Sequence, residues 1–472
     1  MSSPAQRLSR GTILAYALPG VMLSMAGVPL FVYLPKFYTD TLGAGAGIVG
    51  LFIFAARILD GLADPFIGRL SDGTLTRWGR RRPYLIFASP FLGLCLLALY
   101  APPELSPNQA GIWFGLLLLV LSVTWTLVNV PWEALGPELS GDYHQRNTLF
   151  AWRDGFWITG IFGAVTLPLA LSWLLGLPDT PSGERQKFLH YALVVAPATV
   201  ILCWLCAALI RERHSTSISS LGQATSESPR HAELRQGLAL LWRNKPFRIL
   251  TAAFAVAAIG ANLPATLILY YVEHVLLDTR AEGYLLLYFL TGIAFLPLWV
   301  RIAAHWGKKP TWMAAMAVNA GAFFGVFFLG PGQGTAFALL AAISGIGFGA
   351  GMALPSSMQA DVIDYDQVLS GRRREGAFIG LWSIIKKTSS ALGLGIALPL
   401  LALAGYQPGT EQSESVVVLL RFLYAGLPCI CTLLALLIIA RYPLDADEHA
   451  RIRAILAESG AQGAGDPSPR PA

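Results

Sequence analysis

The sequence predicts an all-α integral membrane protein with twelve transmembrane helices, and two observations lead to this prediction. Of the 472 residues, 54% are hydrophobic and 13% are charged, whereas a soluble domain carries roughly 25% charged residues. Apolar runs of about 20 residues, the length that crosses a bilayer, recur along the whole chain. A chain in lipid must satisfy its own backbone hydrogen bonds, so each run is predicted to be a helix.

The apolar runs form two groups of six, separated by a polar segment rich in Ser, Gln, Glu and Arg. The predicted domains are a first six-helix bundle (1–212), a middle loop (213–245), a second bundle (246–442) and a tail (443–472). The Gly-, Ala-, Pro- and Ser-rich end of the tail indicates partial disorder. The predicted spans are 12–35, 45–70, 84–102, 110–133, 150–177, 188–211, 247–275, 282–303, 311–330, 333–358, 376–404 and 415–441.

A short motif occurs at the same place in both bundles. Residues 78–81 read WGRR after span 2, and residues 306–309 read WGKK after span 8. In each case a proline, Pro83 or Pro310, opens the next span. Corresponding motifs in two six-helix halves predict a duplicated six-plus-six architecture.

Basic residues are concentrated in alternate loops, at 69–82, 211–248, 308–309 and 372–374. The intervening loops 102–109, 330–334 and 407–414 have almost no Lys or Arg. This asymmetry predicts that both termini and the middle loop lie in the cytoplasm. The net charge of +6 is dispersed over these loops, so no nucleic-acid partner is expected.

Charged residues lie inside otherwise apolar predicted helices. In span 2, Arg57, Asp60 and Asp64 are three and four residues apart, which places them on one helical face. An ionisable group at membrane depth is costly unless it is paired or hydrated, so this face is predicted to point into the bundle or a cavity. A purely structural ion pair between Arg57 and Asp60 is the alternative interpretation, and it leaves the second carboxylate without a role.

Later spans contain complementary groups. Lys386 and Lys387 lie deep in span 11 and point about 100° apart, so one of them is predicted to face the cavity near the span 2 carboxylates. The sequence does not decide which one. Tryptophans near these helices are candidates for stacking on a ligand, and proximity to charges favours Trp132 and Trp382 over Trp125, Trp152 and Trp157. Further polar candidates at the end of span 4 and the start of span 5 are Asn129, Glu133, Arg153 and Asp154.

Four segments together resemble a known family. They are ARILDGLADPFIGRLSDGTLTRWGRRRP (56–83), FVYLPKFYTDTLG (31–43), NVPWEALGPEL (129–139) and ADVIDYDQVLSGRRREGAFIGLWSIIKK (360–387). They are similar to the signature segments of the glycoside–pentoside–hexuronide:cation symporters of the major facilitator superfamily, whose best-known members are melibiose carriers. The resemblance covers both halves and implies the major facilitator fold.

The resemblance also implies roles for individual residues. Asp60 and Asp64 match the family's coupling-cation site, and Arg57 matches an arginine beside the sugar. Lys387 matches the span 11 lysine at the cation and sugar sites. Two further positions are implied near the sugar: Arg153, and Ser383 where that helix often carries Thr.

The chain departs from melibiose carriers at three positions. Ser24 stands where they have a sugar-binding aspartate in span 1. Asn129 stands where they have the span 4 aspartate, and it is retained as a candidate cation ligand. Glu133 stands at the ligand-stacking tryptophan position, with Trp132 beside it. These departures leave the cargo unnamed.

Charged residues at the cytoplasmic helix ends are predicted to form a gate. Acidic and basic residues alternate at a predicted hinge, which is typical of salt bridges that break and re-form between two halves during alternating access; a solvated charge run is the alternative. The candidates are Asp72, Arg80, Arg81, Arg146, Asp361, Asp364, Arg373 and Glu375.

The resemblance implies symport of a sugar- or glycoside-like solute with Na⁺ or H⁺, in a bacterial-type cytoplasmic (inner) membrane. Two alternatives remain: a carrier or exporter of an amphiphilic, lipid-like substrate on the same fold, and a membrane-embedded enzyme. The seven histidines are scattered without ligand spacing, so no enzyme activity, metal site or cofactor is expected. The expected partners are a small-molecule substrate and membrane lipids, with the monomer as the functional unit.

Overall fold

The structure of the protein is a computed structural model. It describes residues 8–139, 143–178, 180–210, 212, 244–370, 375–445, 448–452 and 454–455, and for residues 143, 144, 146, 147 and 375–377 it describes the backbone alone. Residues 213–243 of the predicted middle loop and most of the predicted tail lie outside these ranges. The four predicted domain bounds therefore stay predictions.

Within the described residues, twelve helices are long and apolar enough to cross a membrane, which confirms the predicted number. Those of the first half are α1 (Arg10–Val32), α2 (Ala46–Gly73), α3 (Arg82–Tyr100), α4 (Pro107–Leu139), α5 (Tyr143–Leu175) and α6 (Pro181–Leu209). Those of the second half are α7 (Lys245–His274), α8 (Ala281–Trp306), α9 (Lys308–Phe327), α10 (Gly334–Ser370), α11 (Glu375–Leu403) and α12 (Glu414–Ile439). After twelve crossings the chain returns to its starting side, which we call the terminal face; the other side is the far face.

Local sequence explains how several helices begin. Ser9 caps α1 by accepting a hydrogen bond from the backbone N–H of Thr12 at 3.1 Å. Asn244 caps α7 in the same way, accepting from the N–H of Phe247 at 3.0 Å. Such side-chain oxygens satisfy backbone donors that have no partner within the helix. Pro297, just after the interruption at Phe295, divides α8 into two helical segments, because proline cannot donate the helical hydrogen bond.

The glycine of the repeated motif takes a positive φ in both halves. Gly79 and Gly307 have φ values of +106° and +87°. These values lie in the left-handed region that glycine adopts without a steric penalty. Each copy makes the turn between the second and third helices of its half, which supports the predicted duplication.

Three helices extend beyond their predicted ends toward the terminal face. α2 reaches Gly73, so Asp72 lies in the helix and not just beyond it. α10 continues to Ser370, which places Asp361 and Asp364 on the helix, where a loop was predicted. α4 likewise reaches Leu139. These ends are polar, so hydropathy underestimates their length; they remain helical because each helix satisfies its own backbone hydrogen bonds.

The two halves approach most closely where α2 packs against α11. A Cβ added at Gly50 would lie 2.3 Å from Cδ of Pro399, and one added at Gly395 would lie 2.5 Å from Cβ of Phe54. Glycine at both positions therefore permits a close helix crossing. This crossing fixes the distance between the charged face of α2 and the lysines of α11.

Candidate functional site

A cavity of about 540 Å³ lies between the two halves. Its volume falls in the range of ~300–1,000 Å³ that is usual for small-molecule sites. Aliphatic and aromatic side chains form most of its wall. The polar groups that interrupt this wall are Ser24, Arg57, Asp60 and Ser122 from the first half and Asn262, Asn319 and Ser344 from the second.

An ion-pair cluster joins the halves at the edge of this cavity. Nζ of Lys387, on α11, lies 3.3 Å from Oδ2 of Asp60 and forms a closer pair with Asp64. Asp60 also accepts a hydrogen bond from the Thr126 hydroxyl at 2.9 Å. Lys386 is exposed. The structure thus brings together Asp60, Asp64 and Lys387, and of the two lysines it is Lys387 that faces the span 2 carboxylates.

Arg57 lines the cavity and is weakly paired. Its guanidinium carbon lies 3.6 Å from the centroid of the Phe31 ring, in cation–π geometry. Its nearest carboxylate contact is 3.9 Å, from Nη1 to Oδ2 of Asp60. Its Nε is buried and makes no hydrogen bond within the described part of the chain. Arg57 therefore retains donors for an acceptor that enters the cavity.

Ser24 also lines the cavity. Its hydroxyl donates to its own helix, at 2.9 Å from the Gly20 carbonyl and 3.0 Å from the Val21 carbonyl. α5 packs directly against it, because a Cβ at Gly160 would lie 1.9 Å from Oγ of Ser24. Ser24 consequently brings no charge to the site.

The remaining polar candidates lie outside the cavity lining, nearer the terminal face. Asn129 donates to Oε1 of Glu133 at 3.2 Å, so these two residues form one patch on α4. Arg153 pairs with Asp154 at 2.7 Å on α5. Ser383 is half-buried on α11, one turn before Lys387. The structure does not bring these residues into the cavity with Arg57 and Asp60.

The tryptophans differ from the sequence-based preference. Trp132 is 1% exposed, and its indole N–H donates to the Tyr16 carbonyl at 2.9 Å. Trp382 packs on Phe254 with ring centroids 4.4 Å apart. Trp125 and Trp157 line the cavity instead. Trp132 follows Trp125 by seven residues on the same face of α4, and about 10 Å along the axis carries it past the cavity to a position covered by α1.

Asn262 and Asn319 line the cavity from the second half and were not among the predicted site residues. Both are amides within apolar spans, so the criterion that singled out the charges of α2, applied to uncharged polar residues, would have found them.

A second inter-half cluster closes the far face. Lys36, on a short helix that follows α1, pairs with Asp40 at 2.5 Å and with Glu273 of α7. The Tyr406 hydroxyl donates to Asp40 at 2.7 Å, and the Thr39 hydroxyl lies 2.8 Å from that of Tyr270. We call these residues the far-face latch: Lys36, Thr39, Asp40, Tyr270, Glu273 and Tyr406.

The predicted gate residues at the terminal face pair within their own halves. Arg81 pairs with Asp72 and, at 3.2 Å, with Glu138; Arg80 lies 3.3 Å from Glu138 as well. In the second half, Lys308 lies 2.7 Å from Asp361. His449 lies 3.3 Å from both Asp361 and Asp364.

The predicted pairing between halves at the terminal face is therefore absent from the described residues in this conformation. The side chains of Arg146, Arg373 and Glu375 lie outside the described part. The structure instead links the halves at the far face and beside the cavity.

Comparison with known proteins assigns the chain to a family. Residues 15–446 match the family described as MFS/sugar transport protein. The chain belongs to the MFS/sugar transport protein family. It is thus a membrane protein of the major facilitator superfamily, as the resemblance implied.

Individual relatives agree with this family. The chain is 28% identical over 453 residues to the glucuronide carrier protein homolog of Escherichia coli (strain K12), covering 95% of both chains. It is 24% identical over 478 residues to the sodium-dependent lysophosphatidylcholine symporter 1 of Gallus gallus, covering 94% of this chain and 88% of that one. The crystal structure of D-xylose-proton symporter superposes with a TM-score of 0.65 at 14% identity, covering 92% of this chain and 98% of the other, which supports the shared fold.

Proposed function

We propose that this family member is a secondary active transporter that takes up a glycoside-like solute together with Na⁺ or H⁺ by alternating access. One observation carries the proposal: Lys387 of the second half forms ion pairs with both Asp60 and Asp64 of the first half, beside the central cavity. A cation that binds Asp60 and Asp64 must compete with Lys387. Because these ion pairs join the two halves beside the cavity, cation binding is coupled to the movement of the halves and to solute transport.

Cation binding and substrate binding act on the same contact between halves. When Na⁺ or H⁺ neutralises the carboxylates, the attraction that holds Lys387 to α2 weakens, and the relative stability of the two facing states changes. A substrate held by Arg57 contacts the same cluster through Asp60. Each ligand shifts the equilibrium only through its different affinity for the two states.

The cavity wall supports a glycoside as the solute. Trp125 and Trp157 offer aromatic rings, and Arg57, Asn262 and Asn319 offer polar groups in the same lining. A relative named as a glucuronide carrier protein homolog supports the same class. The second candidate is an amphiphilic, lipid-like solute, which the largely apolar wall and the lysophosphatidylcholine symporter favour.

The proposal includes the setting of the protein. The basic loops at the terminal face support a cytoplasmic location for both termini, in a bacterial inner membrane. The protein acts as a monomer, without a cofactor and without an enzymatic step. Asn129, Glu133, Arg153 and Ser383 lie toward the terminal face, where we propose that they contact the solute as it leaves, with Asn129 adding a neutral oxygen near the cation path.

The test uses purified protein in proteoliposomes and a panel of labelled sugars, glycosides and amphiphiles, with and without Na⁺ at two pH values. Asp60→Asn is expected to abolish concentrative uptake and to retain exchange of solute across the membrane, since exchange needs no net coupling. Lys387→Ala is expected to impair coupling, whereas its exposed neighbour Lys386→Ala, the matched control, is not. Normal concentrative uptake by Asp60→Asn, or equal effects of the two lysine variants, would contradict the mechanism.

A further inference from the structure

The part of the cavity that extends into the second half is lined by groups without a role in cation coupling. We infer that this part binds the aglycone of the substrate, a flat apolar group that carries a hydrogen-bond acceptor, so that the protein prefers aryl glycosides to free sugars. The inference rests on the proposed glycoside transport and specifies its substrate class. We call this part of the cavity the second-half lobe: Tyr288, Phe289, Asn319, Phe323, Phe348 and Tyr424.

Aromatic rings form two groups in the lining of the second-half lobe. In one group Tyr288 lies 5.3 Å from both Phe289 and Phe348, and the last two lie 5.9 Å apart, measured between ring centroids. In the other group Phe323 and Tyr424 lie 6.2 Å apart. Such spacings are those of interacting aromatic groups. Rings arranged in this way suit a further ring better than they suit a sugar, whose hydroxyl groups each require a polar partner.

The wall is held in place by close helix packing. A Cβ at Gly345 of α10 would lie 2.3 Å from the carbonyl oxygen of Tyr288 on α8. Glycine therefore lets the two backbones approach, and this approach brings Phe348 beside the rings of α8. The lobe is thus a preformed feature of the helix packing, which lowers the cost of ordering side chains on binding.

One amide in the lobe has unused donors. The Ser344 hydroxyl donates to Oδ1 of Asn319 at 2.6 Å, which fixes the orientation of the amide. Asn319 lines the cavity, and its NH₂ group makes no hydrogen bond to any described residue. Asn262 differs, because its NH₂ group donates to the Ala258 carbonyl at 2.7 Å. Asn319 therefore presents a donor among rings, and an acceptor on an apolar ligand group matches it.

The first-half side of the cavity complements the lobe. It holds the charged groups, Arg57 and Asp60, and the indole of Trp125. Charged groups form the stronger hydrogen bonds that a sugar ring with many hydroxyl groups needs. A molecule that spans both sides would place its sugar at Arg57 and its aglycone in the lobe.

The experiment compares the methyl, phenyl and 4-nitrophenyl glycosides of glucuronic acid, xylose and galactose, measured as binding to the purified full-length protein by calorimetry. For a sugar that binds, we expect the phenyl glycoside to bind about tenfold more tightly than the methyl glycoside, which is the scale of added apolar contact. The 4-nitrophenyl glycoside should bind more tightly than the phenyl glycoside. Asn319→Leu should remove only the gain in affinity from phenyl to 4-nitrophenyl. Phe323→Ala should reduce the gain from methyl to phenyl, with the affinity for the methyl glycoside as the internal control for folding.

The outcomes separate the inference from the function on which it rests. Equal affinity for the three glycosides of a sugar that binds would overturn the aglycone subsite and leave glycoside transport intact. A dodecyl glycoside that binds more tightly than the phenyl glycoside would overturn the preference for a flat ring. If neither glycosides nor free sugars bind or accumulate, the proposed function fails and the inference fails with it. The wild-type series decides these outcomes even if a variant does not fold.

Discussion

The far-face latch gives a prediction about the balance between the two facing states. Within the latch, Lys36 of the first half pairs with Glu273 of the second, so Glu273→Gln removes an attraction between the halves and keeps the size of the side chain. We expect the variant to favour the state that is open at the far face. The hydrogen bonds of the latch, from Tyr406 to Asp40 and between Thr39 and Tyr270, remain.

The size of the effect follows from the exposure of the two groups. The side chain of Glu273 is 49% exposed and that of Lys36 is 18% exposed, and exposed ion pairs contribute ~0.2–1 kcal/mol. Lys36 keeps a partner in Asp40 at 2.5 Å, so no unpaired charge is created. A loss of ~1 kcal/mol corresponds to roughly a fivefold change in the ratio of the two states.

The measurement is a distance distribution between spin labels placed at the far-face ends of α2 and α11, in a background without native cysteines. The five native cysteines are all buried, so their conservative replacement is needed only to prevent stray labelling. The ratio of the longer-distance to the shorter-distance population should rise by up to about fivefold. High salt should reduce the difference from wild type, since salt screens exposed pairs.

The control is Asp278→Asn at the same face. Arg280 and Tyr284 donate hydrogen bonds to this carboxylate, Nη2 of Arg280 at 2.7 Å, and both belong to the second half. Arg280 first, and Tyr284 after it, hold the pKa of Asp278 well below its usual range. The charged form thus contributes stability at neutral pH that is lost as pH falls through the lowered pKa. The control should alter this acid stability and leave the distance distribution unchanged; equal distributions for Glu273→Gln and wild type would refute the latch.

Three other predictions concern packing and backbone. Trp132→Phe removes the hydrogen-bond donor to the Tyr16 carbonyl, so it should cost ~1–3 kcal/mol of stability and leave solute affinity unchanged. Trp125→Ala should instead weaken solute binding. Thermal unfolding and binding measurements on both variants test this, and a reversed pattern would contradict it. Gly345→Ala places a Cβ 2.3 Å from the carbonyl oxygen of Tyr288 and should destabilise the protein by ~1–3 kcal/mol. Gly351→Ala on the same helix is the control, because a Cβ there meets nothing within 4 Å. Equal melting temperatures of the two variants would count against the close approach of α8 and α10. Leu277 has a φ of +52°, so Leu277→Asn should raise stability by up to about 1 kcal/mol, and a lower melting temperature would show that its backbone is not strained.

The sequence by itself determined the architecture. Hydrocarbon thickness sets the length of an apolar run, and the cost of unsatisfied backbone groups makes each run a helix, so twelve spans could be predicted from the apolar runs of the sequence. The WGRR and WGKK motifs, at corresponding positions of the two groups of spans, indicated the duplication. The charges of span 2 could also be singled out, since an ionisable group in an apolar helix requires a partner or a cavity.

Only the tertiary structure decided which helix faces meet and at what depth. Periodicity places Arg57, Asp60 and Asp64 on one face, yet the α2–α11 crossing at Gly50 selects Lys387 over Lys386 as their partner. Trp125 and Trp132 share a face of α4, yet the second is buried and donates to the backbone of α1, whereas the first lines the cavity. The far-face latch joins residues more than 200 positions apart. Such choices depend on side chains of other helices, which a local pattern does not contain.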